Sequence, residues 1–220
     1  TVNVNALVHK HNIKTMNVVA TKEDFGYTAK YCTYCTLDDE SMQTYFPYET
    51  VKLSKTSYTY DGKGKKPGVT VTDVLDQPIS KSEYTVTYPK SAKNVGKYTV
   101  TIKFKNHYAG TEKRTFTINP KGTSLSKVTS PKKAQLKVTW KKQTTQTTGY
   151  QVQYSTSSKF KKAKTVTISK NKTTSKSVSK LSAKKKYYVR VRTYKTVKIG
   201  GKSVKLYSGW SKAKSVTTKK

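Results

Sequence analysis

Apolar and polar residues alternate with a period of two over many short runs of this chain, the pattern of strands with one buried face. In Gly149–Ser155 (GYQVQYS), Tyr150, Val152 and Tyr154 fall on one face and Gln151 and Gln153 on the other. In the run 187–197, Tyr187, Val189 and Val191 point one way while Tyr188, Arg190 and Arg192 point the other. Further strands are expected at 136–140, 164–169, 176–181 and 214–218. An earlier set is expected at Ser57–Tyr60, Val69–Val74, Tyr84–Tyr88, Lys97–Phe104 and Arg114–Ile118. Turn signals separate these runs, among them DGKGKKPG, Pro78, PKSAKNVG and KNHYAG. Strands of this length with frequent turns predict small β-sandwiches.

Residues 1–50 differ from the rest. VNVNALV is alternating and strand-like, and Gly26 interrupts before a second alternating stretch, YTAKYC. Asn119-Pro120-Lys121-Gly122 reads as a linker, because proline ends a ladder and glycine supplies the bend. The expected organisation is all-β: a small Cys/His-containing β module at 1–50, a small sandwich at 51–119 and a second sandwich at 120–220.

Composition sharpens this picture. Only 33% of the 220 residues are hydrophobic, so the cores are small. Low hydrophobicity with high charge often means disorder, but 17 Tyr and many Val and Thr favour pleated, half-buried surfaces. The formal charge is +34, and its distribution is uneven. Of 45 basic residues, 15 lie in 1–112 beside all 11 acids; the other 30 lie in 113–220 with no acid at all. Such an imbalance favours polyanionic partners. No stretch approaches the ~20 apolar residues of a membrane span. No charged-then-apolar signal opens the chain, and Thr1 is compatible with a removed export signal.

The third segment resembles a fibronectin type III domain. The residues that carry the resemblance are Trp140 on an early strand, GYQVQYS as the third strand, and Leu181 followed by Tyr187, Val189 and Val191. The resemblance implies a core Trp and a corner Tyr whose hydroxyl ties back to the backbone near the turn. Ala183 replaces the Pro usual in that turn, and YSGWSKAKSV is the approach to the last strand. The second segment is similar to small Ig-like modules found in tandem on secreted and surface proteins of Gram-positive gut bacteria. It shares with them YTYDGKGKKPGVTV, YTVTY and KNVGKYTVTIKFKNHYAGTEKRTFTI. The first segment resembles a short repeat of the same proteins, C-x-H, then Ala-Thr, a Gly and C-x-x-C. Here His11, Ala20-Thr21, Gly26, Cys32 and Cys35 carry it; His9 stands where the leading Cys would be, and Thr36 replaces a Gly.

His9, His11, Cys32 and Cys35 supply two nitrogens and two sulfurs, a set that suits a closed tetrahedral zinc site. Positions 9 and 11 of a strand share a face, and a C-x-x-C turn presents two thiolates. A Cys32–Cys35 disulfide is the alternative, favoured by an oxidising exterior although so short a loop gains little entropy. A redox dithiol fits least, since no helix follows to lower a thiol pKa.

Catalytic equipment is sparse. Residues 113–220 contain no Asp, Glu, His or Cys, and no P-loop, dinucleotide signature or Gly-x-Ser-x-Gly occurs. His107 in FKNHYAG is expected to face solvent. An isopeptide crosslink needs a neighbouring acid, which rules it out of the third segment. The chain is therefore expected to be non-enzymatic and monomeric, with extracellular or wall-associated modules of structural or adhesive role. Its Lys-rich domain is expected to contact anionic wall polymers such as teichoic acids, or another polyanion, through Lys184, Lys185, Lys186, Arg190 and Arg192. Lysine predominates over arginine there, which suits diffuse attachment rather than bidentate reading. Two alternatives remain open: an appendage of a larger secreted enzyme binding a glycan or host protein, and nucleic-acid binding, for which no motif is present.

Overall fold

The structure, a computed structural model, describes residues 12–33 and 42–220. Its strands in chain order are β1 (Ile13–Val18), β2 (Gly26–Cys32), β3 (Gln43–Tyr45), β4 (Tyr48–Leu53), β5 (Ser57–Thr59), β6 (Val69–Asp73), β7 (Tyr84–Thr87), β8 (Gly96–Phe104) and β9 (Thr111–Asn119). There follow β10 (Leu125–Thr129), β11 (Leu136–Trp140), β12 (Gly149–Ser155), β13 (Lys164–Ile168), β14 (Ser175–Val178), β15 (Lys186–Ile199), β16 (Lys202–Tyr207) and β17 (Lys214–Thr217). The only helical piece among the described residues is a single 3₁₀ turn, Lys81–Glu83, capped by Ser80. No helix of the described residues is long and apolar enough to cross a membrane. The all-β expectation holds.

The chain divides into two compact units by contact rather than by sequence order. The first takes in the described residues of Thr1–Ser54 together with Pro67–Tyr88 and Thr99–Arg114. The second comprises Lys55–Lys66, Pro89–Tyr98 and Thr115–Lys220.

In the first unit, β2 pairs antiparallel with β1 and β3. The turn between β1 and β2 explains the Ala-Thr…Gly spacing. Ala20 is fully buried; its N–H donates to the His107 carbonyl at 2.7 Å, and its carbonyl accepts from the Ala109 N–H at 2.8 Å. The Thr21 hydroxyl accepts from the Glu23 and Asp24 amides, and Gly26 closes the turn where a Cβ would lie 2.3 Å from the Ala20 nitrogen. Only glycine allows that approach. β4 pairs with β6 and β7 with β8, all antiparallel. Val71, Val100, Ile102 and Phe104 bury their side chains, and Tyr48 stacks on Phe104 with centroids 4.0 Å apart. Asp73 is buried at the end of β6 because its carboxylate accepts from the Leu75 and Gln77 amides, each at 2.9 Å, which satisfies its charge locally.

In the second unit, β5 runs parallel to the end of β9. A three-stranded sheet in the order β10-β11-β14 and a five-stranded sheet β13-β12-β15-β16, with β17 also on β15, enclose the larger core. Leu136, Val138 and Trp140 from one sheet join Tyr150, Val152, Tyr187, Val189 and Val191 from the other in one buried cluster. Trp140 packs against Tyr150 with centroids 5.3 Å apart, so both sheets contribute their expected inward face. Burying such side chains contributes about 1.5–3 kcal/mol each, and they carry the sandwich's stability.

The expected strand at 176–181 stops at Val178, because Lys180 adopts φ 59° and leaves extended backbone. The run at 187–197 is longer than expected: β15 continues into a hairpin with β16, turned by Gly200 and Gly201 at φ 55° and 78°. VNVNALV lies outside the described residues.

Candidate functional site

Cys32 ends β2, is buried and sits opposite Ile13; beyond it the Thr33 N–H donates to the Asn12 carbonyl at 3.1 Å. His9, His11 and Cys35 lie outside the described residues, so Cys32 alone of the four expected ligands is placed. Among the described residues, no group of three or more His, Cys, Asp and Glu side chains is gathered as a metal would need.

His107 is less exposed than a loop histidine would be. Its ring stacks on Tyr45 with centroids 4.2 Å apart, and Nδ1 lies 3.2 Å from Glu83 Oε2, which also accepts the His107 N–H at 3.1 Å. The side chain is 33% exposed. The carbonyl of this residue receives Ala20, so the whole arrangement braces a turn.

Lys184, Lys185 and Lys186 form the turn entering β15. Lys184 has φ 53°; its N–H donates to the Thr218 carbonyl at 3.0 Å, and the Lys185 N–H donates to the Thr218 hydroxyl at 3.1 Å. The buried Thr218 hydroxyl in turn donates to the Ser182 carbonyl. The Tyr187 hydroxyl accepts from the Ser182 N–H at 3.1 Å, the tie that the fibronectin resemblance implies. The backbone is therefore pinned while all three lysine side chains face solvent.

Arg190 and Arg192 are placed differently. Both lie on the outward face of β15, but their guanidinium groups already have partners. Arg190 Nε donates to Gln153 Oε1 at 2.8 Å, and Arg192 donates through Nε and Nη2 to Gln151 Oε1 at 3.0 and 2.7 Å. Those glutamines donate onward to Thr165 and Thr167 of β13. Each rung is Thr–Gln–Arg across three strands in direct register. Aromatic rings fill the spaces: Arg190 lies 4.0 Å from the Phe160 centroid and 4.6 Å from that of Trp210, and Arg192 lies 3.9 Å from Tyr207 and 4.3 Å from Trp210. Stacked guanidinium–aromatic contacts of this kind contribute roughly 0.5–2 kcal/mol each. Burial lowers the pKa of both arginines, with the Arg190 charge adding to the effect at Arg192. Both remain cationic.

Trp210 reaches the ladder because the last strand opens between β16 and β17. The Ser208 and Ser211 amides donate to the Thr193 and Val191 carbonyls, and their hydroxyls accept from the Thr193 and Val191 amides, each at 3.1 Å. Two serine hydroxyls thus stand in for strand carbonyls while Gly209-Trp210 turns outward. The structure brings Arg190 and Arg192 together around Trp210 and leaves Lys184–Lys186 at the preceding turn. Sequence reasoning missed Trp210, Phe160, Gln151 and Gln153. The available signal was Gln at i and i+2 on one strand against Arg at i and i+2 on its neighbour.

No curated protein matches this chain. Among solved structures, it is similar to the FN1–FN3 domains of chicken CNTN1, at 16% identity over 89% of this chain and 78% of that one, with a TM-score of 0.40. It is also similar to a two-domain fibronectin type III segment of chicken tenascin, at 14% identity over 94% and 98%, with a TM-score of 0.37. Residues 119–208 match the fibronectin type III domain family.

Proposed function

We propose that this chain is a set of non-catalytic structural or adhesive modules of a secreted or cell-surface protein. Its fibronectin type III end holds an anionic wall polymer by electrostatic attraction. The observation that carries this reading is the charge distribution: 30 basic residues and no acid over 113–220. An acid-free surface leaves its ammonium groups without internal counter-ions, so a polymeric anion that docks on them gains by releasing its condensed cations into solution.

Lys184, Lys185 and Lys186 are the residues of the expected set best suited to that role, since their side chains are exposed on a pinned backbone. Arg190 and Arg192 are proposed to brace the domain instead, because glutamine and aromatic partners engage their guanidinium groups. Retention on purified Gram-positive cell walls tests the reading: binding should be lost on walls stripped of teichoic acid, and undiminished binding there would overturn it.

A structural zinc ion held by His9, His11, Cys32 and Cys35 is part of the same proposal. It is supported by the donor set and by the β1–β2 register, which brings Asn12 beside Thr33. Metal analysis of untagged protein should return about one zinc per chain. A Cys32–Cys35 disulfide without metal would replace it.

A further inference from the structure

The second unit contains three adjoining concavities that the charge count over 113–220 does not reveal. The central one, about 660 Å³, is lined by Lys55, Tyr58, Tyr60, Lys65, Lys121 and Gln143, among others. It shares Lys65 with a second of about 560 Å³, which also has Lys66, Lys90 and Lys93 on its walls. It shares Lys121 and Gln143 with a third of about 380 Å³, bordered by Lys141 and Lys142. Backbone and side-chain bonds hold the walls: the Lys65 N–H donates to the Ala92 carbonyl at 2.8 Å, and Gln146 Nε2 donates to Asn94 Oδ1 at 3.3 Å. Asp61 is the one acid among the described lining residues. It is already bonded by Lys65, which holds its pKa below the usual carboxylate value.

The chambers differ in chemistry. The two outer ones have lysine as their only charged lining residue. The central one has an aromatic wall, Tyr58, with the Lys55 and Lys65 ammonium groups 5.2 and 5.8 Å from its ring centroid. Thr59, Gln143 and Thr145 add neutral hydrogen-bonding groups. An aromatic wall with neutral polar groups suits a sugar ring, and flanking ammonium groups suit its acidic substituents.

We propose that this trough binds a linear acidic polysaccharide, with a sugar ring against Tyr58 and charged groups of neighbouring units on Lys55, Lys66, Lys93 and Lys121. The proposal rests on the polyanion reading above and gives it a specific site, drawing lysines from four separate loops of the second unit.

The test uses the full chain with two probes, a galacturonic acid hexamer and inorganic polyphosphate of matched charge. The hexamer should shift the Tyr58 and Gln143 NMR signals of the unaltered protein. The double variant Lys55→Gln/Lys121→Gln should bind it about tenfold or more weakly, because two charge-assisted contacts are lost. Lys137→Gln/Lys164→Gln, which removes the same charge from exposed positions on β11 and β13, should change affinity less than about twofold. Equal losses in both variants, or no shift at Tyr58, would overturn the trough while leaving diffuse polyanion binding intact. Polyphosphate binding there as tightly as the hexamer would overturn the saccharide assignment. Failure of both probes to bind would overturn the trough and the polyanion reading together.

Discussion

The Arg192 guanidinium lies 4.3 Å from the ring centroid of Trp210, a residue held outward by a break in the last strand rather than by a turn of its own. Arg190 meets the same ring at 4.6 Å, so one indole separates two cations two residues apart on β15. Removing the ring leaves two like charges closer to solvent and each without one stacking partner. Trp210→Ala should therefore destabilise the C-terminal sandwich by about 2 kcal/mol, read as a lower urea midpoint at unchanged slope. A midpoint equal to that of the parent would contradict the ladder's structural role.

Arg192→Lys separates the ladder from charge. The substitution keeps the cation but loses the planar fork that donates twice to Gln151 and stacks between two rings. A cost of about 1 kcal/mol in stability is expected. Affinity for an anionic polymer should be unchanged, measured by titration at fixed salt. A matching loss of binding would place Arg192 in the polyanion contact after all.

Much of this domain was legible in the sequence. β12 begins and ends where the alternation of GYQVQYS places it, and Tyr187 makes the corner bond expected of it. These features are local, set by side-chain period and turn chemistry. The trough was not legible, because Lys55, Lys66, Lys93 and Lys121 come from four loops separated in sequence, three of them outside the acid-free stretch. The basic outward face of β15 was legible from the alternation, whereas the pairing of Gln151 and Gln153 directly opposite Arg192 and Arg190 was not, because it depends on the register between strands far apart in sequence.

Glycine 149 opens β12 under a strand neighbour. A Cβ there would lie 2.0 Å from the Ile168 carbonyl oxygen and 3.0 Å from the Tyr194 ring, and the first of these is backbone that cannot swing aside. Gly149→Ala should cost about 3 kcal/mol, whereas Gly209→Ala should stay within about 0.5 kcal/mol. Gly209 has no heavy atom within 4 Å of where its Cβ would be. Thermal unfolding of the two variants side by side checks the contrast.

Alkaline pH should unfold the domain. Burial raises the pKa of the Tyr150, Tyr154 and Tyr194 hydroxyls above the ordinary 10.0. The unfolded chain releases these protons near pH 10 while the folded chain retains them, so their stabilisation is complete below about pH 10 and is lost as pH rises through the folded values. At Tyr150 the loss is compounded, since its hydroxyl donates to the Asn171 carbonyl at 2.7 Å and accepts from the Gln143 N–H at 2.8 Å. Circular dichroism from neutral to strongly alkaline pH should show a cooperative transition that Tyr150→Phe makes shallower. Stability constant across that range would count against the buried tyrosines.

The most direct measurement is the affinity of the full chain for purified wall teichoic acid as a function of salt. If the acid-free half binds by ammonium–polyanion contacts, the logarithm of the association constant should fall linearly with the logarithm of salt concentration, losing about a hundredfold or more between 50 and 200 mM. An affinity that holds steady over that interval would contradict the account.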